Sequence, residues 1–131
     1  LVRFLGQALD AGRKVVGICF GHQLLAHHFG GETAPAAVGW CVGIHETRVL
    51  APQPWMEPAA ATYALISSHR DQVVRLPAGA RGFAASASCP VAGFVMGDRV
   101  LAFQGHPEFT RPYAADLLRM RAETLGPERF E

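Results

Sequence analysis

The pattern of hydrophobic and polar positions predicts a chain that alternates between helices and strands. Apolar residues recur at helical spacing from Leu1 to Ala11, and Gly12 follows as a stop signal. Val15 to Ile18 is a continuously apolar run rich in β-branched residues, which is typical of a strand buried on both faces. A second helical pattern follows and ends at Gly30-Gly31. This order favours an α/β fold with a parallel central sheet.

The rest of the chain is dominated by short strand patterns and closes with one helix. Apolar and β-branched runs predict strands around Val42 and Ile44, and at Thr47 to Leu50, Tyr63 to Ser67, Gln72 to Leu76, Phe83 to Ser86, Val91 to Met96 and Arg99 to Phe103. Gly97-Asp98 has the composition of a hairpin turn. Thr110 is placed to cap a last helix with Pro112 in its first turn. The inward-packing residues expected there are Tyr113, Leu117, Leu118 and Met120.

Composition narrows the class of protein without changing this picture. The 131 residues are half hydrophobic, and no linker or repeat divides them, so we expect one domain over residues 1–131. Twelve basic and eleven acidic residues, with scattered arginines, exclude the clustered basic patch of a nucleic-acid-binding protein. Three widely spaced cysteines indicate neither a disulfide framework nor a zinc site, and we expect no metal or cofactor. With no signal-like or membrane-spanning run, we expect a cytoplasmic location.

The sequence "GICFG" places Cys19 between Gly17 and Gly21, directly after the first predicted strand. This spacing is that of a nucleophile elbow, a sharp strand-to-helix turn that needs small residues at both flanks. The turn would put Cys19 at a helix N-terminus, where the helix dipole favours a thiolate. The backbone N–H of Phe20 would then point toward an oxyanion formed beside Cys19. From this motif alone, a buried structural cysteine is an equally good interpretation.

The second candidate cluster is "AFQGHPEF", which follows an apolar strand near the end of the chain. Pro107 favours an extended conformation for the residue before it, and in extended chain residues i and i+2 point the same way. His106 and Glu108 should therefore project together from the carboxyl end of a strand, where α/β sheets keep their sites. A carboxylate beside an imidazole is the base-and-orienter pair of a catalytic triad. The two clusters together favour a Cys19–His106–Glu108 triad.

Three motifs, in this order along the chain, resemble those of the class I glutamine amidotransferase family, in its GMP-synthase-like branch. They are "GICFGHQLLA", "SSHRDQV" (Ser67 to Val73) and "AFQGHPEF". The resemblance implies a three-layer, flavodoxin-like α/β fold with a mostly parallel sheet. It implies release of ammonia from glutamine through a cysteinyl γ-glutamyl thioester, with Cys19 as nucleophile, His106 as base and Glu108 as its partner. It also implies four substrate-binding residues, namely Gly21, Gln23, Ser68 and His69.

Two other functions are compatible with the same residues. A γ-glutamyl peptidase would use the same triad, since only the leaving amine differs, and a non-catalytic binding module would keep the motifs without turnover. A glutaminase of this family would pass its ammonia to a synthetase partner or act as a free-standing hydrolase. Family members also carry strands and a Gly-rich loop ahead of the elbow, and the loop supplies a second oxyanion donor. No such loop precedes Leu1, so we expect an N-terminally incomplete domain.

Overall fold

The computed structural model describes residues 1–126, which form four helices and eight strands. The helices are α1 (Val2–Asp10), α2 (Phe20–His28), α3 (Arg111–Met120) and α4 (Ala122–Leu125). The strands are β1 (Val15–Ile18), β2 (Glu32–Pro35), β3 (Cys41–Val49), β4 (Thr62–His69), β5 (Asp71–Arg75), β6 (Ala80–Ala85), β7 (Gly93–Met96) and β8 (Val100–Phe103). The α/β class is confirmed, while β2 and α4 were not predicted. None of these helices is long and apolar enough to cross a lipid bilayer.

The main sheet is mixed, with six strands in the order β1-β8-β7-β6-β3-β4, and β2 pairs with β5 in a separate ribbon. Within residues 1–126, β1 and β8 are parallel, with Gly17 opposite Ala102, and the other pairs are antiparallel. The expectation of a mostly parallel sheet is therefore wrong for this part of the chain. The reason is local, because short connections join β6 to β7 and β7 to β8. Such connections form antiparallel hairpins, whereas parallel neighbours need a long crossover.

The sheet separates two hydrophobic clusters, since neighbouring residues of one strand project to opposite faces. On one face, α2 contributes Leu25 to a cluster that includes Phe94 and Ala102. On the other face, Phe83 and Val95 are buried against partly buried residues that include the last residue of β8. Because β1 and β8 are parallel and Ile18 lies opposite Phe103, the carboxyl ends of these two strands are next to each other.

Two expectations about burial are wrong. Val16 is 60% exposed, because Val15 packs against the cluster on the α2 face and Val16 projects from the opposite face of β1. In α3, Met120 is 84% exposed and Tyr113 is 54% exposed, so neither side chain packs fully inward. The cap of that helix does form as predicted, with the Thr110 hydroxyl accepting a hydrogen bond from a backbone N–H in the first turn at 3.4 Å.

Candidate active site

Cys19 lies in the turn between β1 and α2, at the N-terminus of the helix. Its φ of 49° and ψ of −100° make it the one non-glycine residue with a positive φ among residues 1–126. The Cys19 N–H donates to the Phe103 carbonyl at 2.9 Å, and the Cys19 carbonyl accepts from the Gln23 N–H at 3.1 Å. A backbone conformation of this kind costs on the order of 1–3 kcal/mol and persists only when its surroundings impose it. The strain therefore marks this turn as a candidate functional site.

The two glycines that flank the turn have different reasons to be small. A Cβ atom added to Gly17 would lie 2.5 Å from Leu25 Cδ1 and 2.8 Å from the backbone of Gly21, which is far too close. A Cβ atom added to Gly21 would meet nothing within 4 Å. The small residue that the motif requires is thus explained by close packing at Gly17. At Gly21 the described residues leave open space where a Cβ atom would lie.

Burial dominates the electrostatics of the candidate nucleophile. The half-buried Cys19 thiol has its pKa raised above the usual value, and desolvation is the largest cause. Hydrogen bonding from the Phe20 backbone N–H lowers the pKa, so the helix N-terminus acts in the predicted direction but is outweighed. Glu108 raises the pKa through its negative charge, and the nearby cation of Arg121 lowers it. The raised pKa favours the neutral thiol of Cys19, so any reaction through its sulfur would first need a base to take the proton.

His106 and Glu108 form a hydrogen-bonded pair that begins three residues beyond the end of β8. His106 Nδ1 lies 2.7 Å from Glu108 Oε1, and the imidazole stacks on Phe109 with ring centroids 3.9 Å apart. Since a carboxylate only accepts hydrogen bonds, Nδ1 carries the proton and Nε2 is left as the basic nitrogen. The His106 backbone N–H donates to the Ile66 carbonyl at 2.8 Å, which ties this segment to β4. The ring is thus held by Glu108 and Phe109, its backbone is held by β4, and one ring nitrogen is left available as a base.

The "SSHRD" segment, at the end of β4 and the start of β5, lies near Cys19 and His106. The Ser68 hydroxyl accepts a hydrogen bond from the Arg121 guanidinium at 2.9 Å. His69 is 5% exposed, and burial lowers its pKa to about 4, with nearby His106 adding to the shift. His69 is therefore neutral at physiological pH. Ser68 thus contacts Arg121, whose charge acts on Cys19, and His69 lies close enough to His106 for the two rings to interact electrostatically.

The side chain of Gln23 makes hydrogen bonds to other residues of the protein. Its amide NH₂ donates to the Asp71 carbonyl at 2.6 Å and to Gln104 Oε1 at 3.2 Å. The Gln104 NH₂ in turn donates to Cys19 Sγ at 3.6 Å. These bonds link the start of α2 to β5 and to the end of β8.

Sequence reasoning missed two residues of this site. Gln104 lies inside the recognised "AFQGHPEF" motif, but its contact with Cys19 depends on the pairing of β1 with β8, which brings together residues 85 positions apart. Arg121 comes from the end of α3, and no local pattern connects it with the elbow. A lone basic residue near a helix C-terminus is ordinary, because it complements the helix dipole.

The arrangement combines a cysteine thiol, a histidine hydrogen-bonded to a carboxylate, and an N–H group at a helix N-terminus. Those are the parts of an acyl-transfer site that works through a covalent thioester. Among the described residues, no group of three or more His, Cys, Asp or Glu side chains is arranged to hold a metal ion.

Comparison with known proteins defines the family. The model of the class I glutamine amidotransferase family matches residues 2–122. The chain belongs to this family. It is 37% identical over 114 residues to gamma-glutamyl peptidase 4 of Arabidopsis thaliana, covering 83% of this chain and 45% of the relative. It is 36% identical over 122 residues to the glutamine-hydrolyzing GMP synthase of Aeropyrum pernix, covering 92% of this chain and 24% of the relative.

Comparison with solved structures supports the same fold for this chain. A glutamine amidotransferase from Thermotoga maritima superposes with a TM-score of 0.86 at 19% identity, covering 99% of this chain and 56% of that one. At that identity the match concerns the fold alone. The chain spans less than half of the length of these two curated relatives.

Proposed function

We propose that the protein is a cysteine-dependent amidohydrolase that cleaves the γ-carboxamide of glutamine and releases ammonia. One observation carries this proposal. The strained Cys19 turn and the His106–Glu108 pair follow the carboxyl ends of two adjacent parallel strands, β1 and β8. A neutral, half-buried thiol and an imidazole with a basic Nε2 are complementary, since the thiol must lose a proton and the imidazole can accept it.

In the proposed reaction, His106 takes the thiol proton as the sulfur of Cys19 attacks the γ-carbonyl carbon. The tetrahedral intermediate collapses when His106 returns that proton to the leaving nitrogen, so that ammonia departs and a γ-glutamyl thioester remains. His106 then removes a proton from water, which attacks the thioester carbon and restores the thiol with release of glutamate. Glu108 holds the ring and stabilises the imidazolium that forms in each half of the reaction.

The substrate would be held between the elbow and the "SSHRD" segment. The Phe20 N–H is the proposed donor to the oxyanion, because it already bonds with the sulfur in the resting state. Ser68 offers a hydroxyl, and Arg121 offers a cation for the carboxylate of the amino-acid substrate. His69 would form a neutral, buried wall. Open space beside Gly21 leaves room for the substrate chain near the nucleophile.

Hydrolysis of γ-glutamyl peptides is the second candidate, and it is favoured by the 37% identity with gamma-glutamyl peptidase 4. The same thioester would form, and only the leaving amine would differ. The similarity to a glutamine-hydrolyzing GMP synthase favours instead a synthetase partner that receives the ammonia.

Steady-state assays of the purified protein separate these functions. Ammonia released from L-glutamine and amine released from a γ-glutamyl dipeptide are compared at equal substrate concentrations, with and without Cys19→Ala. The matched control is Cys89→Ala, which changes a free cysteine that is 3% exposed and whose pKa burial raises to about 12.

A glutaminase releases ammonia at the higher kcat/KM, loses this activity with Cys19→Ala and keeps it with Cys89→Ala. Faster release from the dipeptide, again lost with Cys19→Ala, assigns the peptidase function. Turnover that survives Cys19→Ala refutes the nucleophile. No turnover of either substrate, together with binding of glutamine, identifies a non-catalytic module.

A further inference from the structure

Gln104 is the first residue after β8, and its side chain is among the most completely buried polar groups of the described chain. It is 1% exposed, and its backbone N–H donates to the Ala92 carbonyl at 2.9 Å. Burial of an amide is unfavourable unless its donors and acceptor find partners. A fully buried glutamine in contact with Cys19 therefore needs an explanation beyond packing.

A chain of hydrogen bonds decides which end of this amide faces the sulfur. The Asp71 carbonyl only accepts, so the Gln23 atom 2.6 Å from it must be the NH₂ nitrogen. That same NH₂ lies 3.2 Å from the Gln104 side chain, so the atom that receives it must be the Gln104 carbonyl oxygen. The other end of the amide, the NH₂ group, then faces Cys19 Sγ at 3.6 Å. The backbone of β5 thus orients a donor toward the sulfur through two glutamines.

We propose that Gln104 is a positioning residue that holds the Cys19 side chain and donates a hydrogen bond to its thiolate, with Gln23 fixing the orientation of the donor. The inference deepens the proposed function and rests on Cys19 as its nucleophile. A hydrogen bond to a charged acceptor is stronger than one to a neutral acceptor. The NH₂ of Gln104 therefore stabilises the thiolate more than the thiol and opposes the effect of burial.

Other charged and polar groups near Cys19 also affect the pKa of its thiol. Glu108 raises the pKa of the thiol, whereas Arg121 and the Phe20 N–H lower it. His22 on α2 is fully buried next to Gln104, and burial lowers its pKa to about 3, so it stays neutral in the range where a thiol titrates. The charge of His22 therefore stays the same between neutral and alkaline pH. A change in the pH dependence of Cys19 reactivity in that range can then be attributed to loss of the Gln104 donor.

The experiment measures the rate at which iodoacetamide alkylates Cys19 as a function of pH, followed by mass spectrometry of the Cys19 peptide. Gln104→Met removes the donor at similar side-chain length, and Gln23→Met removes only the group that orients it. Gln72→Met is the matched control, since Gln72 is also a buried glutamine, at 5% exposure, and makes no hydrogen bond with Cys19 in the described chain. Circular dichroism establishes that each variant is folded.

With Gln104→Met, the apparent pKa of Cys19 should rise by about one unit, which slows alkylation near neutral pH about tenfold. Gln23→Met should give a smaller slowing, about threefold, and Gln72→Met should leave the profile unchanged. A folded Gln104→Met variant with the native profile overturns the inference. If that variant does not fold, a native profile in Gln23→Met overturns it. Since no glutamine is present, the alkylation result is independent of whether the protein hydrolyses glutamine.

Discussion

Replacing Cys19 by glycine should give a more stable protein than replacing it by alanine. Both variants lose the sulfur, and they differ only by a Cβ atom on a residue with φ 49° and ψ −100°. Strain of this kind costs about 1–3 kcal/mol for a residue with a side chain, whereas glycine adopts the conformation freely. Glycine also loses about 0.5–1 kcal/mol more on folding through the entropy of its unfolded chain. The difference between these two effects is about 0–2.5 kcal/mol, so the free energy of unfolding of Cys19→Gly should exceed that of Cys19→Ala by about 1 kcal/mol.

Urea unfolding monitored by circular dichroism measures this difference, and thermal midpoints should differ by about 4 °C per kcal/mol for a domain of this size. The matched control is Ala115→Gly in the middle of α3, where φ is helical and glycine should be the less stable residue by about 1 kcal/mol. If Cys19→Ala is as stable as Cys19→Gly, or more stable, the turn is not strained and the elbow argument fails.

Three further predictions address the turn, the buried histidines and the orienting carboxylate. Gly17→Ala should destabilise the protein by several kcal/mol because its Cβ would meet Leu25 and the backbone of Gly21. Gly21→Ala lies within α2 and has open space around its Cβ, so it should unfold at the native urea concentration or slightly above it. Burial lowers the pKa of His22 to about 3 and that of His69 to about 4, so the unfolded state binds more protons below the unperturbed pKa near 6.5. Stability measured by urea should therefore fall by about 2 kcal/mol per histidine from pH 7 to pH 5, and a flat profile would contradict their burial as neutral groups. Glu108→Gln should reduce kcat about 10²-fold through misorientation of the His106 ring, and an unchanged kcat would remove Glu108 from the mechanism.

The sequence predicts those parts of the fold that depend on local patterns. The run from Val15 to Ile18 becomes β1 with the same bounds, and Thr110 caps α3, because both signals are contained within a few neighbouring residues. The pairing of His106 with Glu108 is also local, since the two residues are only two positions apart. The backbone between them differs from the prediction, because Pro107 and Glu108 form a turn and not an extended chain.

Features that depend on tertiary structure could not be predicted in this way. The sheet is mixed because consecutive strands form hairpins, and the motif at Cys19 carries no information about how β3 to β8 pair. The contact of Gln104 with Cys19 and the approach of Arg121 need the register of β1 with β8 and the placement of α3. The raised pKa of Cys19 also opposes the expectation from its helix N-terminus, because desolvation is a property of the assembled core.

The central claim is that Cys19 forms a covalent γ-glutamyl intermediate after His106 takes its proton. The most direct measurement mixes the protein rapidly with isotopically labelled L-glutamine, quenches with acid before turnover is complete, and maps the label by mass spectrometry. The proposed mechanism predicts a γ-glutamyl thioester on the peptide that contains Cys19, and none in Cys19→Ala or on Cys41 and Cys89. Hydrolysis of glutamine without label on Cys19, or label on another cysteine, would contradict it.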